Sequence, residues 1–493
     1  MMRYKKIIRA RYKLLLHYIG TLLMGLGSFL LLPLLAIPFY PQEMGYWTFF
    51  FLPSLLLVSL GYGLWKFINP GSEEVSLSLK EGGIIVLISW LTAIVASAFP
   101  FVLAGKLNFT QAIFEATSGW TTTGLSVIDE SQTAQIFLLW RSIMQFFGGA
   151  GLIVVMLSSI IHPYGFGLYN AEGRSDQLLP HVKRSAKAIM LIYSGYTLAG
   201  VILYYLVGMG LFDAINHSIA ALSTGGFSTR PASIGHWDNL GIELVTWILM
   251  LLGTTNFATH FALLKGKVKT FLKNGEVKLM TFLIALFVPL ISYFSLTELY
   301  SSLPRILRRS IFEVISALST TGFSLDTFQP WHSFGLLSIV ILMLIGGGTG
   351  STAGGIKLYR IYLLFKSLLW EFKSYFLPQS SVQENFIWRG EKKVYIKDEY
   401  IRETANYIYL YLITYASGVL IYLAHGYGLK ESLFEFASAL GTVGLSIGIT
   451  GADAPASILW LETFAMVLGR LEFLVIFFAL VKLFKDTKYV VKN

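Results

Sequence analysis

The chain contains no cysteine, which rules out disulfides, thiol nucleophiles and thiolate metal sites and leaves its compartment open. Charge is also scarce. Asp, Glu, Lys and Arg make up 13% of 493 residues, against about 25% in soluble domains. With 55% hydrophobic residues and a mean hydropathy of +0.63, the composition is that of an integral membrane protein. No zinc-protease motif, dinucleotide fingerprint or activated nucleophile stands in the sequence, so it offers no enzyme chemistry.

The net charge of +10 could suggest a nucleic-acid partner, but its placement argues otherwise. Thirty of the 38 Lys and Arg residues fall in six segments, 1–13, 66–80, 174–187, 265–278, 357–402 and 482–492. Between them lie apolar runs long enough to cross a bilayer, and all six segments then share one side. The positive-inside rule makes that side the cytoplasm, with both termini on it.

Residues 14–39 form an apolar run too long for a signal-peptide core and read as a retained span. A second span, 46–67, completes an N-terminal pair. From about residue 80 one unit recurs four times: a spanning helix, a half-length helix, a glycine loop and a second spanning helix. The expected elements are 82–104, 110–120, 121–126 and 134–160; then 187–209, 211–222, 223–228 and 238–264. The third and fourth sets are 277–299, 308–318, 319–324 and 333–369, and 404–425, 430–440, 441–446 and 456–482. The fold class is therefore all-α and polytopic: two extra helices (1–79), then pore repeats at 80–165, 166–266, 267–375 and 403–493 around one pseudo-fourfold pore. A charged cytoplasmic linker, 376–402, precedes the last repeat and is expected to be extended or a hairpin.

The loops SGWTTTGLS (118–126), AALSTGGFS (220–228), SALSTTGFS (316–324) and SALGTVGLS (438–446) align without gaps. They share Thr122, Thr224, Thr320 and Thr442, and two residues on Gly124, Gly226, Gly322 and Gly444. Half-helices of 10–12 residues cannot cross a core that needs about 20. They must re-enter, and the loops after them must line a wet cavity within protein. Four such loops provide what a cation pore needs, backbone carbonyls aimed at one axis; Thr442-Val443-Gly444 begins like the TVGYG loop of potassium channels. The candidate filter is Thr121, Thr122, Thr123, Gly124; Ser223, Thr224, Gly225, Gly226; Ser319, Thr320, Thr321, Gly322; and Gly441, Thr442, Val443, Gly444. The ion would be held by the carbonyls of Thr122, Thr123, Thr224, Gly225, Thr320, Thr321, Thr442 and Val443. Nine residues before the glycines stand Glu115, His217, Glu313 and Glu435, expected to tie each half-helix to its surroundings.

The second helix of the third repeat is broken by GGGTGSTAGG, with six glycines in ten residues. Gly346, Gly347, Gly348, Thr349, Gly350, Ser351, Thr352, Ala353, Gly354 and Gly355 are a candidate intramembrane gate, the competing reading being a packing surface for a neighbouring subunit. A phosphate loop is excluded because Ile356 separates Gly355 from Lys357. Arg470 lies mid-helix in an apolar run; it lines the path or pairs with Glu115, Glu313 or Glu435. Asn256 and His260 read as interhelical hydrogen-bonding groups. His217 is the one candidate for a membrane-embedded enzyme, with no evident nucleophile partner.

These loops, together with LWRSIMQFFGGAGLIVVML (139–157), NAEGRSDQLLPHVKRSAK (170–187), GGGTGSTAGGIKLYRI (346–361) and LGRLEFLVIF (468–477), resemble the membrane subunits of bacterial Trk potassium uptake systems, within the Trk/Ktr/HKT superfamily. The N-terminal pair is similar to the TrkH branch. The resemblance implies a homodimer in the bacterial inner membrane with one pore per subunit, and a cytoplasmic TrkA-like nucleotide-binding ring that controls the gate. It implies 346–355 as the gating loop, Lys357 and Arg470 along the path, K⁺ as cargo and no cofactor. Serine in the first filter of some plant relatives goes with Na⁺; glycine at all four positions favours K⁺, and a Na⁺-translocating relative is the alternative. Gly348, Thr349 and Ala353 depart from the GGCAGSTSGGIK pattern common in the family.

Overall fold

The computed structural model describes residues 2–68, 79–151, 182–378, 384–389, 392–471 and 473–492. Residues 152–160 of the first repeat's second helix, the 165/166 boundary, the stretch 170–181 and Glu472 lie outside the described residues.

Helices α1 (Met2–Phe29) and α2 (Trp47–Phe67) form the N-terminal pair. The expected span 14–39 is α-helical only to Phe29 and continues as tight turns at Leu32–Ala36 and Pro41–Tyr46, where Pro33 and Pro41 have no amide to donate. The first repeat holds α3 (Leu79–Leu103), α4 (Phe109–Trp120) and α5 (Gln135–Ala150). The second holds α6 (Val182–Leu206), α7 (Leu211–Leu222), α8 (Leu240–Thr254) and α9 (Phe257–Leu264), with α10 (Val268–Lys273) leading onward. The third holds α11 (Gly275–Ile291), α12 (Leu303–Ser319), α13 (Ser333–Ile345) and α14 (Leu358–Ser374). In the linker, β1 (Phe386–Arg389) and β2 (Lys392–Tyr395) make the hairpin that was one of the two expected forms, with Phe386 opposite Tyr395. The fourth repeat holds α15 (Asp398–Ala424), α16 (Leu429–Gly441), α17 (Ala456–Leu471) and α18 (Phe473–Lys492).

Six stretches among the described residues are long and apolar enough to cross a membrane: the N-terminal pair and the first helix of each repeat. The half-helices form where expected. Asn108 caps α4 reciprocally with Gln111, each side chain taking the other's backbone amide at 3.0–3.1 Å.

The second helices depart from expectation. Only the third was expected to break, yet the helix expected at 238–264 is α8 and α9 bent by 108°. Extended backbone at Thr255 ends the first piece, and the Asn256 side chain starts the next by accepting from the Ala258 amide at 2.7 Å. The run 456–482 is described as α17 and α18 on either side of Glu472, and α5 ends at Ala150, before Gly151 with φ +87°. In the third repeat the expected break within 333–369 is present: α13 ends before Gly346, φ +69°, and the helix resumes at Leu358.

The chain divides into two compact bodies. The first is Met1–Thr121, Ser126–Leu191 and Pro455–Asn493; the second is Thr122–Leu125 and Ile192–Ala454. In the first, α17 packs on α4, so the last repeat's second helix covers the first repeat's half-helix. Trp90, Trp120, Trp140 and Phe137 fill the core around it. In the second, α8 lies between α7 and α12, and α13 between α12 and α16. Each second helix thus packs beside a half-helix of its own repeat, of the next, or of both.

Helices α1 and α2 meet through small residues, as association in lipid favours. A Cβ on Gly61 would lie 2.6 Å from the Gly20 carbonyl oxygen, and Ser54 donates to the Gly27 carbonyl at 2.7 Å. By contrast, nothing lies within 4 Å of a Cβ on Gly63. Gly61→Ala should therefore lower the thermal midpoint of the detergent-solubilised protein, by about 1–3 kcal/mol of overpacking. Gly63→Ala, on the opposite face of α2, should leave it unchanged or raise it.

Candidate functional site

The half-helices end alike. Thr122, Thr224, Thr320 and Thr442 all adopt left-handed backbone, with φ between +51° and +55°. For a β-branched residue this is unfavourable by roughly 1–2 kcal/mol. It persists because it completes a helix-capping motif in which glycine usually takes that place. The Thr224, Thr320 and Thr442 amides donate at 3.2 Å to Ala221, Ala317 and Ala439. The next amides, of Gly225, Thr321 and Val443, reach back to Ala220, Ser316 and Ser438 at 2.8–3.0 Å. In a trans peptide the carbonyl opposes the amide. Turning these amides into the helix therefore turns the threonine carbonyls out of it.

Two residues on, the glycines meet the neighbouring loop. A Cβ on Gly124 would lie 2.3 Å from the Gly225 oxygen; on Gly226, 2.0 Å from the Thr321 oxygen. On Gly322 it would lie 2.0 Å from the Val443 oxygen, and on Gly444, 2.2 Å from the Thr123 oxygen. The contacts run first to second, second to third, third to fourth and fourth to first, closing a ring. All four glycines have φ between +67° and +99°. Both conditions admit only glycine without a shift.

Behind each glycine a polar strap joins the half-helix to the ascending strand. Glu115 accepts from the Ser126 hydroxyl and the Val127 amide at 3.0 Å. Glu435 accepts from Ser446 at 2.6 Å and from the Ile447 and Thr450 amides at 2.9 Å. Glu313 accepts from the Leu325 amide at 2.8 Å. His217 takes the same place in the second repeat, with Nε2 3.0 Å from Ser228 Oγ and Nδ1 2.8 Å from the Asp213 carbonyl. The serine beside the histidine is the equivalent of the strap serines Ser126 and Ser446. Beyond the third glycine, Arg309 binds the Leu325 carbonyl at 2.9 Å and Asp326 at 3.1 Å. Burial, and then the Asp326 carboxylate, push the nearby Tyr300 phenol up to about 12.

Arg141 was not singled out by the sequence. It is 1% exposed and forms an ion pair with the fully buried Glu115 at 2.8 Å. The hint was an arginine in the second turn of an apolar helix, LWRSIMQ. Arg470, offered by the sequence as a partner for Glu115, instead donates to the last carbonyls of α5, Gly148 at 2.6 Å and Gly149 at 3.4 Å. A cation is favourable at such a helix end.

Residues 346–357 fold beneath the threonines of the second body. Gly347 N to Gly354 O (3.3 Å) closes the loop, and Leu358 N to Gly347 O (2.8 Å) anchors its return. Thr352 Oγ1 lies 3.0 Å from the Leu222 carbonyl, 2.9 Å from that of Gly253 and 3.2 Å from Thr224 Oγ1. The Gly354 amide donates to Thr320 Oγ1 at 2.7 Å, and a Cβ on Gly354 would lie 2.0 Å from Thr442 Oγ1. Lys357, with φ +87°, donates its ammonium to the Ala353 carbonyl. The break in α8/α9 serves this loop. Asn256 donates to the Thr349 carbonyl and Phe257 N to Gly350 O at 3.3 Å, while Glu276 accepts from Thr349 N at 2.8 Å. Asn256 is thus a cap and a loop support rather than a mid-helix bridge. His260 bonds within the bent pair, 2.8 Å from the Leu252 carbonyl.

Removing one side of the buried pair leaves an uncompensated charge. Glu115→Ala is expected to destabilise by about 3–5 kcal/mol, and Glu115→Leu combined with Arg141→Met to recover part of that loss. Thermal melting of the two single variants and the double variant checks the coupling.

A family model described as TrkH, cation transport protein, matches residues 51–492. The chain is 30% identical over 471 residues to the Trk system potassium uptake protein TrkG of Escherichia coli, covering 92% of this chain and 95% of that protein. It is 29% identical to TrkH of the same organism, covering 97% and 99%. An uncharacterised cation transporter of Methanocaldococcus jannaschii is also 29% identical, over 97% of both chains. The crystal structure of the potassium transporter TrkH from Vibrio parahaemolyticus superposes with a TM-score of 0.83 at 26% identity, over 96% and 98% of the chains. With its spans, four repeats and ring of glycine loops, this multi-pass membrane protein is no enzyme; it belongs to the TrkH family of cation transport proteins.

Proposed function

We propose that this chain is the pore-forming subunit of a Trk-type potassium uptake system, conducting K⁺ along the axis of the glycine-loop ring. The observation that carries the reading is the closed cycle of contacts through Gly124, Gly226, Gly322 and Gly444, each preceded by a left-handed threonine. Such a ring presents carbonyls of Thr122, Thr123, Thr224, Gly225, Thr320, Thr321, Thr442 and Val443 as a replacement for an ion's hydration shell. The half-helices aim their C-terminal, partly negative ends at the same place. Thr121, Ser223, Ser319 and Gly441, the last residues before the left-handed turns, complete the filter.

Residues 346–355 are its gate and Lys357 fastens it. What supports this is their seat against Thr224, Thr320 and Thr442, at the inner end of the filter. Arg470 belongs to the same pathway as a fixed positive charge. The basic segments put both termini and the linker hairpin in the cytoplasm of a bacterial inner membrane. On this reading the domains are the helix pair 1–79, repeats 80–165, 166–266, 267–375 and 403–493, and the linker 376–402. The subunit works as a homodimer with a cytoplasmic nucleotide-binding ring acting on the gate, and needs no cofactor.

Rb⁺ uptake into proteoliposomes tests the filter. K⁺ should block it and Na⁺ should not, and Gly226→Ser should abolish uptake or admit Na⁺. Equal block by both ions in the wild type would instead support the sodium-translocating reading. Gly354→Ala tests the gate, because its Cβ cannot coexist with Thr442 Oγ1 at 2.0 Å. Rb⁺ flux should rise several-fold with selectivity kept; unchanged flux, there and on shortening 346–355, sinks the gate.

A further inference from the structure

The loop treats the four equivalent threonine hydroxyls unequally. Thr224 Oγ1 has Thr352 Oγ1 at 3.2 Å, and Thr320 Oγ1 accepts the Gly354 amide at 2.7 Å. Thr122 Oγ1 and Thr442 Oγ1 have no hydrogen-bond partner among the described residues, although these residues are 1% and 0% exposed. A buried hydroxyl without a partner is unfavourable by about 1–3 kcal/mol, and here two of them stand at matching positions of one ring. The four threonines share left-handed backbone, and each stands two residues before its ring glycine. A set of four threonine hydroxyl oxygens suits a cation seated at the inner end of the filter.

Closure removes such a cation in two ways. Loop atoms lie directly on two of the four oxygens. One of those atoms is an amide nitrogen whose N–H is aimed at Thr320 Oγ1, so its partial positive charge faces the place where the ion's charge would be. Resting on the filter and gate assignments above, we propose that the closed loop and a K⁺ ion at the four-threonine position exclude one another, so that the transported ion itself opens the gate. The loop then does more than obstruct the path. Ion binding and loop release become two sides of one equilibrium, and whatever factor K⁺ applies to loop release, release must apply to K⁺ affinity. The asymmetry also identifies the residues that separate the two events. Thr320 serves both the loop and the ion, whereas the Thr122 and Thr442 hydroxyls serve the ion alone.

Hydrogen–deuterium exchange of the full-length protein in nanodiscs, read on peptides covering 346–358, tests this directly. In N-methylglucamine or Na⁺ the amides of Gly348, Thr352 and Gly354, bonded to Thr254 O, Gly253 O and Thr320 Oγ1, should be protected. Raising K⁺ from zero to several hundred millimolar should speed their exchange by about 5-fold or more, the scale of an ordinary coupling between sites. Thr442→Val and Thr122→Val should remove the K⁺ effect while keeping the protection seen without K⁺. Thr442→Ser, which restores the hydroxyl, should restore the effect. Thr320→Val should weaken protection even without K⁺. Loop exchange indifferent to K⁺, in protein whose Rb⁺ uptake is still blocked by K⁺ and not by Na⁺, overturns the exclusion and leaves the filter assignment standing. Uptake without K⁺ selectivity would overturn the filter assignment itself.

Discussion

The close approach of one glycine loop to the next is the constraint on which the rest depends. At each of four places a carbonyl oxygen occupies the volume of an absent Cβ, 2.0–2.3 Å from where that carbon would be. The approach is possible only if the preceding threonine is left-handed, because that turn swings the chain out of its half-helix at the required angle. An unfavourable backbone conformation repeated four times must be held from behind, which gives the straps their purpose. Glu115, His217, Glu313 and Glu435 all bind residues two or three beyond the glycine, fixing both ends of each loop. Local strain is retained where the surroundings over-determine it, and these loops meet that condition.

The interrupted second helices follow from the same demand. A straight helix would run past the inner end of the ring without touching it. Breaks at Thr255–Asn256 and Gly346 instead bring irregular backbone to that depth, where helix carbonyls and amides are free to bond other segments. Several of the groups so released find partners. The Gly253 and Thr254 carbonyls receive Thr352 and Gly348 amides, and the Thr349 amide finds Glu276. Asn256, Glu276 and Thr352 are polar groups that serve these breaks.

Much of this was legible in the sequence, and the reason is repetition. One TTG-like loop means little, but four with matching flanks left few alternatives, and the half-helices emerged within a few residues of their expected bounds. The break at 346–355 was legible because six glycines announce it. The break at Thr255–Asn256 was not, since TTNFATH keeps an apolar helix's composition and ends the helix through one asparagine cap, a signal that also fits an interhelical bond. Arg141 escaped because its partner Glu115 is far from it along the chain and on another helix. Sequence spacing does not reveal which carboxylate a buried arginine meets. The left-handed threonines were illegible for a deeper reason: propensity argues against them, and only the ring explains why they are tolerated.

Building the ring from one chain rather than four identical ones has a physical consequence at its inner end. The loop 346–357 reaches three of the four threonine positions at once, through Thr352 to Thr224, the Gly354 amide to Thr320, and the bare Cα of Gly354 beside Thr442. One loop therefore meets three of the four equivalent positions. Four symmetry-related copies would demand the same volume and the same hydroxyls, so a homotetramer could not carry this device in every subunit. Divergence among the repeats releases the constraint. The loops keep their shared geometry because all four must meet, while the second helices are free to differ, and the third alone carries a long glycine-rich insertion. Symmetry is thus preserved at the depth of the carbonyls and abandoned at the depth of the loop.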